Sequence, residues 1–215
     1  MRINTENVVE QFVGFDPATL YEAAGRQGMV DPAIRPAWPG ARICGVAFTV
    51  ECPPADNLML HHAVAAAKPG VIIVATLGGY LYTGAWGEIL TVAAQAKGVA
   101  GLAVDGAVRD TKAIAERQFP IFSRGLAIGS CTKERFGTLG CPIQFGGVVV
   151  YSGDIVVGDE DGIVVIAQGR AEQVLEAATR RSLREAEIIE GLNQGKSTIE
   201  LLGLPPLSTP GAAGK

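Results

Sequence analysis

The sequence is poor in charged, aromatic and cysteine residues, and each shortage excludes a class of protein. Only 19% of the 215 residues are charged and 6% are aromatic, and the formal net charge is −4. A surface that binds nucleic acid needs clustered lysine and arginine, so we expect no nucleic-acid partner. The four cysteines show no C-x-x-C spacing, and a chain of this length does not need disulfides, which favours reduced thiols.

Long apolar runs and a leader segment are also lacking. No window reaches the ~18 uncharged apolar residues of a membrane span, and the first residues, MRINTENVVEQF, lack the apolar stretch of a signal peptide. We therefore expect a cytoplasmic protein with no membrane partner. No G-x-G-x-x-G motif occurs, so a nucleotide-binding protein of the Rossmann type would lack its phosphate cradle.

What the chain does contain is apolar strand-like segments separated by turns. Hydrophobic residues make up 48% of it, and 28 glycines and 12 prolines punctuate them. This composition predicts one α/β domain over residues 1–204, followed by a disordered tail over 205–215. Downstream of residue 120 the pattern is rich in strands, and the first forty residues look like a helical lead-in.

The pattern of apolar residues and turn signals predicts the elements. Strands are expected at 42–51, 71–78, 98–106, 120–124, 143–151, 154–158 and 162–166, and helices at 16–25, 56–68, 88–97 and 169–194. A glycine-rich loop is expected at 78–87. Strand, loop, helix and strand over 71–106 form a parallel crossover unit, and ligands of such sheets collect at the carboxyl ends of strands. The segments 78–87 and 105–110 should share that edge.

The segment 87–110 is the most informative for function. Glu88 starts a helix, and Arg109 and Asp110 follow the next strand. At that helix start the N–H groups of Ile89 and Leu90 would bind an anion, beside which Arg109 would hold a carboxylate or ketone oxygen. Asp110 could then carry a divalent cation. The alternative is a surface ion pair after a strand, which is what most Arg-Asp dipeptides form.

Across residues 40–195 the chain resembles the RraA-like family. The similar words include GVAFTV, DNLMLHHAVAAAKPG, GVAGLAVDGAVRD and SGDIVVGDEDGIVVI. This family contains 4-hydroxy-4-methyl-2-oxoglutarate/4-carboxy-4-hydroxy-2-oxoadipate aldolases and non-enzymatic ribonuclease regulators. The resemblance implies a layered β/β/α fold of the swivelling-domain type, with a helical N-terminal lead-in and a long C-terminal helix.

The resemblance is closest to the aldolases, which share an acid, twenty residues, and then Arg-Asp. It implies a class II, metal-dependent lyase that releases pyruvate and a second 2-oxo acid, with oxaloacetate decarboxylation as a companion activity. Asp110 would anchor Mg²⁺ or Mn²⁺, Arg109 would contact the pyruvyl oxygens, and the main chain of Gly87, Ile89 and Leu90 would complete the carboxylate pocket. Glu88 stands where the family usually has Asp, which holds metal-bound water. The alternative is a regulator that binds a ribonuclease or another protein.

By the same resemblance, Glu185 would reach the site of a neighbouring subunit, because it stands ten residues before Gly195 as the family's additional glutamate does. We expect a homotrimer or a homohexamer. The alternative for Glu185 is an ordinary solvated charge on the closing helix.

Two further groups invite chemistry. His61 and His62 are adjacent, and neighbouring helical residues point about 100° apart, so they are not expected to share a metal ion. A surface or core role is predicted for both. Lys112 would suit a Schiff-base aldolase only if burial or another cation lowered its pKa, and nothing in the sequence predicts either.

Overall fold

A mixed sheet forms the centre of the protein. The computed structural model describes residues 5–207. Its strands are β1 (Arg35–Pro36), β2 (Ile43–Glu51), β3 (Val71–Trp86), β4 (Gly101–Val108), β5 (Ile121–Leu126), β6 (Thr138–Leu139), β7 (Ile143–Phe145), β8 (Val148–Val150), β9 (Ile155–Asp159) and β10 (Gly162–Ile166). Its helices are α1 (Thr5–Phe12), α2 (Pro17–Ala23), α3 (Leu58–Ala66), α4 (Glu88–Ala96), α5 (Thr111–Glu116), α6 (Ala171–Asn193) and α7 (Thr198–Leu202).

The strand order of the large sheet is β1-β5-β4-β3-β2-β9-β10, and β6 pairs with β2 beside this path. The strands β2 to β5 are mutually parallel, whereas β1, β9 and β10 run antiparallel to their neighbours. β7 and β8 form a separate hairpin. The parallel centre brings the carboxyl ends of β3 and β4 to one edge, as the sequence predicted.

Alternating side chains of β3 and β4 fill two layers. Ile73, Leu102 and Val104 face one side and pack against α3, α4 and α5. Val74 and Ala103 face the other side and pack against the β7–β8 hairpin. In a third cluster, α2 and α6 pack against β9 and β10. The predicted β/β/α layering, the helical lead-in and the long closing helix are therefore confirmed.

Two predicted elements are wrong. The segment 78–87 is not a loop, because β3 continues to Trp86 and pairs with β4 through three register shifts. Gly78 and Gly79 have positive φ angles of 66° and 75°, which allow these irregularities. The segment was predicted to be a loop because it is rich in glycine. The predicted strand 143–151 is two strands, because Gly146 and Gly147 also have positive φ and turn the chain between β7 and β8.

Other predictions concern the ends and surface of the chain. Residues 208–215 of the predicted disordered tail lie outside the described residues. Within the described part, no helix is long and apolar enough to cross a membrane. All four cysteines are described, and none forms a disulfide. Asp16 is the residue before α2, and its side chain makes no capping hydrogen bond.

Candidate active site

Six of the seven predicted site residues meet where β3 and β4 end, and Glu185 does not. The N–H of Arg109 donates to the carbonyl oxygen of Trp86 across 2.9 Å, which brings Arg109 and Asp110 beside the start of α4. The N–H of Glu88 in turn donates to Asp110 Oδ2 across 3.1 Å. Asp110 adopts a left-handed backbone conformation, with φ of 59°. Such a conformation is uncommon outside glycine and often marks a functional position.

Gly87 permits this arrangement because its missing side chain leaves room for the acid. A Cβ at position 87 would overlap Asp110 Oδ2 and would lie 3.2 Å from Arg109 Cγ and 3.3 Å from Arg109 Nε. The backbone of Gly87 is extended, with φ of −149°, so any residue could adopt it. The requirement for glycine is therefore one of space.

A small cavity of about 90 Å³ lies at this junction. Its lining residues are Asn57, His61, Gly84, Ala85, Gly87, Ile89, Leu90, Arg109, Asp110 and Lys133. Five of the seven predicted site residues are among them. The N-cap residue of α4 is Gly87, which has no side chain to cap the helix, and the N–H groups of Ile89 and Leu90 in the first turn have no intrahelical acceptor. The cavity therefore combines N–H donors, two cationic side chains and one carboxylate, a combination suited to a small anionic ligand.

Glu88 and Glu185 are not among the residues that line this cavity. Arg117 holds the Glu88 carboxylate by two hydrogen bonds, from Nε across 3.0 Å and from the guanidinium terminus across 2.7 Å. Glu185 lies on α6, where Arg181 Nε approaches its carboxylate to 2.9 Å. Only the main chain of Glu88 takes part in the local geometry. The predicted roles of both carboxylates stay predictions.

Sequence reasoning missed five residues of the cavity, and three of these, Asn57, His61 and Lys133, have polar side chains. The Asn57 Nδ2 group donates to the carbonyl oxygen of Ala85 across 2.7 Å, so α3 is anchored to the end of β3. His61 follows one turn later on α3. From the sequence, His61 and His62 were considered only as possible metal ligands. The position of Lys133 could not be predicted, because it lies in an irregular segment that is distant in sequence from the other residues of the cavity.

A buried aspartate places Lys133. The Asp56 carboxylate is fully buried and accepts hydrogen bonds from the Thr132 hydroxyl across 2.6 Å and from the N–H groups of Glu134, Leu58 and Arg135. Burial alone would raise the pKa of Asp56, but these hydrogen bonds outweigh it and lower the pKa to about 2. The segment 132–135 is thereby fixed to the start of α3, and its Lys133 lines the same cavity as Arg109.

The chemistry of the cavity suits a hard divalent cation better than zinc. Within residues 5–207, no group of three or more His, Cys, Asp or Glu side chains is arranged to hold a metal ion. Zinc sites need three or four such ligands, whereas Mg²⁺ is commonly bound by one or two carboxylates, with water and substrate oxygens completing its shell. Asp110, with one carboxylate oxygen hydrogen-bonded to Glu88 N–H, fits that second pattern.

A wide apolar groove of about 740 Å³ adjoins the site. Arg109 and Asp110 form part of its lining, and four large apolar side chains around it are exposed to between 43% and 96%: Leu81, Tyr82, Leu126 and Ile128. Exposed apolar surface of this extent is typical of a contact between protein chains.

Comparisons with known proteins agree with the architecture. Residues 5–165 match the model of the family described as RraA-like, Aldolase/RraA. A Halalkalibacterium halodurans protein named "Putative 4-hydroxy-4-methyl-2-oxoglutarate aldolase" is 38% identical over 173 residues, which cover 80% of this chain and 82% of that protein.

Two solved structures extend the comparison. An uncharacterized protein from Pseudomonas syringae has a TM-score of 0.82 at 29% identity and covers 91% of this chain and 96% of its own. The RNA-processing inhibitor RraA from Thermus thermophilus has a TM-score of 0.65 at 25% identity and covers 71% of this chain and 92% of its own. The fold is therefore shared by proteins of different described activity.

Proposed function

The chain belongs to the RraA-like family, and from that premise we propose that it is a divalent-metal-dependent pyruvate aldolase. The substrate would be a 4-hydroxy-2-oxo acid with further carboxylates, such as 4-hydroxy-4-methyl-2-oxoglutarate or 4-carboxy-4-hydroxy-2-oxoadipate. The observation that carries the proposal is the convergence of the α4 amino terminus, Arg109 and Asp110 on one cavity. A 38% identical relative that is named as an aldolase supports the same reaction class.

Each group has a task in such a reaction. The N–H groups of Ile89 and Leu90 and the Arg109 guanidinium would bind the carboxylate and ketone oxygens of the pyruvyl half. Cleavage of the C3–C4 bond develops negative charge on the ketone oxygen, and Arg109 would stabilise this charge. Lys133, which also lines the cavity, would attract a carboxylate of the second half.

Asp110 would hold Mg²⁺ or Mn²⁺, and a cation there would act as a Lewis acid that lowers the energy of the enolate. No covalent lysine intermediate is needed. Lys112, the alternative considered from the sequence, is exposed on α5, where nothing buries its amine.

The same site would support decarboxylation of oxaloacetate, because that reaction also leaves the enolate of pyruvate. We propose it as a companion activity. The two reactions differ in the bond that breaks, not in the charge that must be stabilised.

A regulator that binds a ribonuclease is the competing proposal, and the resemblance to the Thermus RNA-processing inhibitor favours it. Two features favour the enzyme. Asp110 is held at the cavity by a main-chain hydrogen bond, and Gly87 leaves space for its carboxylate. A scaffold for protein binding would need neither.

The test is a coupled assay of pyruvate release from 4-hydroxy-4-methyl-2-oxoglutarate and from oxaloacetate, with added Mg²⁺ and with a chelator. We expect release that depends on the metal. Absence of release from both substrates, together with inhibition of a purified ribonuclease, would favour the regulator.

A further inference from the structure

Two buried polar atoms at the cavity have no partner. They are Asn57 Oδ1 and His61 Nε2, and no side chain or main-chain group of the described residues bonds to either. Asn57 is 7% exposed, and its orientation is fixed because Nδ2 donates to the carbonyl oxygen of Ala85. Buried polar atoms are rarely left unpaired, because each such atom costs free energy. Both residues line the cavity, so a molecule bound in the cavity would supply the missing hydrogen-bond partners.

The polar groups that line the cavity are of two kinds, hydrogen-bond donors and hydrogen-bond acceptors. Arg109, Lys133 and the α4 N–H groups are donors and suit carboxylate or ketone oxygens. Asn57 Oδ1 is an acceptor, and so is Nε2 of a neutral imidazole whose proton is on Nδ1. Acceptor atoms suit a hydroxyl group, which donates a hydrogen bond, and not a carboxylate. In the proposed substrate the only hydroxyl outside the carboxyl groups is the one on C4.

We propose that His61 is the proton-transfer residue of the carbon–carbon bond cleavage; the inference rests on the proposed function. His61 Nε2 accepts the proton of the C4 hydroxyl as the C3–C4 bond breaks. The electron pair of the O–H bond forms the new C4 carbonyl, and the pair of the C3–C4 bond moves into the enolate of pyruvate. The imidazolium then returns its proton to C3, so pyruvate and a 2-oxo acid leave and the imidazole is regenerated. Asn57 Oδ1 lines the same cavity and is the alternative acceptor that holds the hydroxyl proton before its transfer.

The electrostatic surroundings favour the neutral imidazole. Burial is the largest cause that lowers the pKa of His61, and the charges of Lys133 and His62 lower it further. Arg109 and Asp110 line the same cavity and carry opposite charges. A neutral ring near pH 7 is able to accept a proton, which a base must be.

The sequence also contains a matched control. His62 is the next residue on α3, is exposed, and stacks against Phe136 at 6.0 Å between ring centroids. The variants to compare are His61→Gln and His62→Gln, since glutamine keeps a polar group near the Nε2 position but does not exchange protons near neutral pH. Each would be assayed for retro-aldol cleavage and for carbon dioxide release from oxaloacetate. Binding of oxalate in the presence of Mg²⁺ would be measured by calorimetry.

The expected result is a split between the two reactions. For His61→Gln, retro-aldol kcat should fall by about 100-fold, the usual contribution of an acid–base group. Carbon dioxide release should persist, because breaking that bond needs no proton from a C4 hydroxyl. Oxalate should bind as in the wild type, and His62→Gln should retain both activities.

Three outcomes would overturn the inference. Equal retro-aldol rates in His61→Gln and the wild type would show that another group moves the proton. Loss of oxalate binding together with both activities would show a structural role. A wild-type protein that cleaves neither substrate would overturn the proposed function itself, and the inference with it.

Discussion

The backbone N–H of Glu88 and the Oδ2 atom of Asp110 are joined by a 3.1 Å hydrogen bond. This bond links the start of α4 to the residue that follows β4 by two positions, although 22 residues separate the partners. It engages the Oδ2 atom of the carboxylate, and Oδ1 is the atom that would bind the proposed cation. The acid is therefore oriented by main chain, which holds a metal ligand more firmly than a flexible side chain would.

Gly87 is predicted to be required for this orientation. In a Gly87→Ala variant the methyl group would overlap Asp110 Oδ2, so the carboxylate must shift. The Mg²⁺ concentration for half-maximal pyruvate release should rise by about 10-fold or more, the usual effect of disturbing the support of a metal ligand. Gly169→Ala is the control, because nothing lies within 4 Å of a Cβ there. Unchanged metal dependence in Gly87→Ala would contradict the proposed position of the cation.

Arg109 is predicted to act through its planar guanidinium. An Arg109→Lys variant keeps the charge but loses the paired donors that match a carboxylate or enolate. We expect kcat/KM for pyruvate release to fall by about 100-fold, the cost of removing an oxyanion donor. Arg180→Lys, at an exposed position on α6, is the control. A kcat/KM near that of the wild type would mean that the Arg109 guanidinium does not bind the substrate.

Asp56 is predicted to stabilise the protein at neutral pH and to position Lys133. Its pKa is about 2 in the folded protein and about 3.9 in an unfolded chain, so its stabilisation is complete above pH ~4 and is lost as the pH falls towards 2. Asp56→Asn should lower the free energy of unfolding by roughly 1–3 kcal/mol at pH 7, because an amide group would face several N–H donors. The difference from the wild type should shrink at low pH.

Chemical denaturation at pH 7 and pH 2.5 measures this difference, with Asp161→Asn at an exposed turn as the control. A difference that is the same at both pH values would show that the Asp56 charge is not what stabilises the segment 132–135.

The sequence allowed half of the site to be predicted because that half is local. Glu88, Arg109 and Asp110 flank a helix and a strand whose apolar patterns are clear, and a crossover unit must bring their ends together. The position of Gly87 and the N–H groups of α4 follow from the same geometry. The resemblance to a family added the expected roles of these residues in binding a metal ion and a substrate.

The other half depends on contacts that no local pattern encodes. Lys133 reaches the cavity because Asp56, far away in sequence, binds the segment around Thr132. His61 was expected at the surface or in the core, because Arg109 and Asp110, which line the same cavity, are far from it in the sequence. Arg117 lies seven residues after Asp110, and its ion pair with Glu88 was not predicted.

The prediction of a site shared between subunits concerns Glu185. In its own chain this residue pairs with Arg181 and lies outside the cavity, so it would act only on a neighbouring copy. We expect light scattering to show a trimer or a hexamer. Mixing inactive Asp110→Ala chains with inactive Glu185→Ala chains should restore part of the activity, because some interfaces then pair two intact halves.

Full activity of the Glu185→Ala variant alone would contradict the shared site. So would mixed oligomers of two inactive parents that recover nothing.

The central claim is that Asp110 carries a divalent cation that is needed for release of pyruvate. The most direct measurement is the Mg²⁺ dependence of pyruvate release from 4-hydroxy-4-methyl-2-oxoglutarate by the wild type, by Asp110→Ala and by the control Glu116→Ala, an exposed acid on α5. We predict that the wild type and the control lose activity with a chelator and regain it with Mg²⁺, and that Asp110→Ala is folded but at least about 100-fold slower at every Mg²⁺ concentration. An Asp110→Ala variant with the rate and metal dependence of the wild type would contradict the claim.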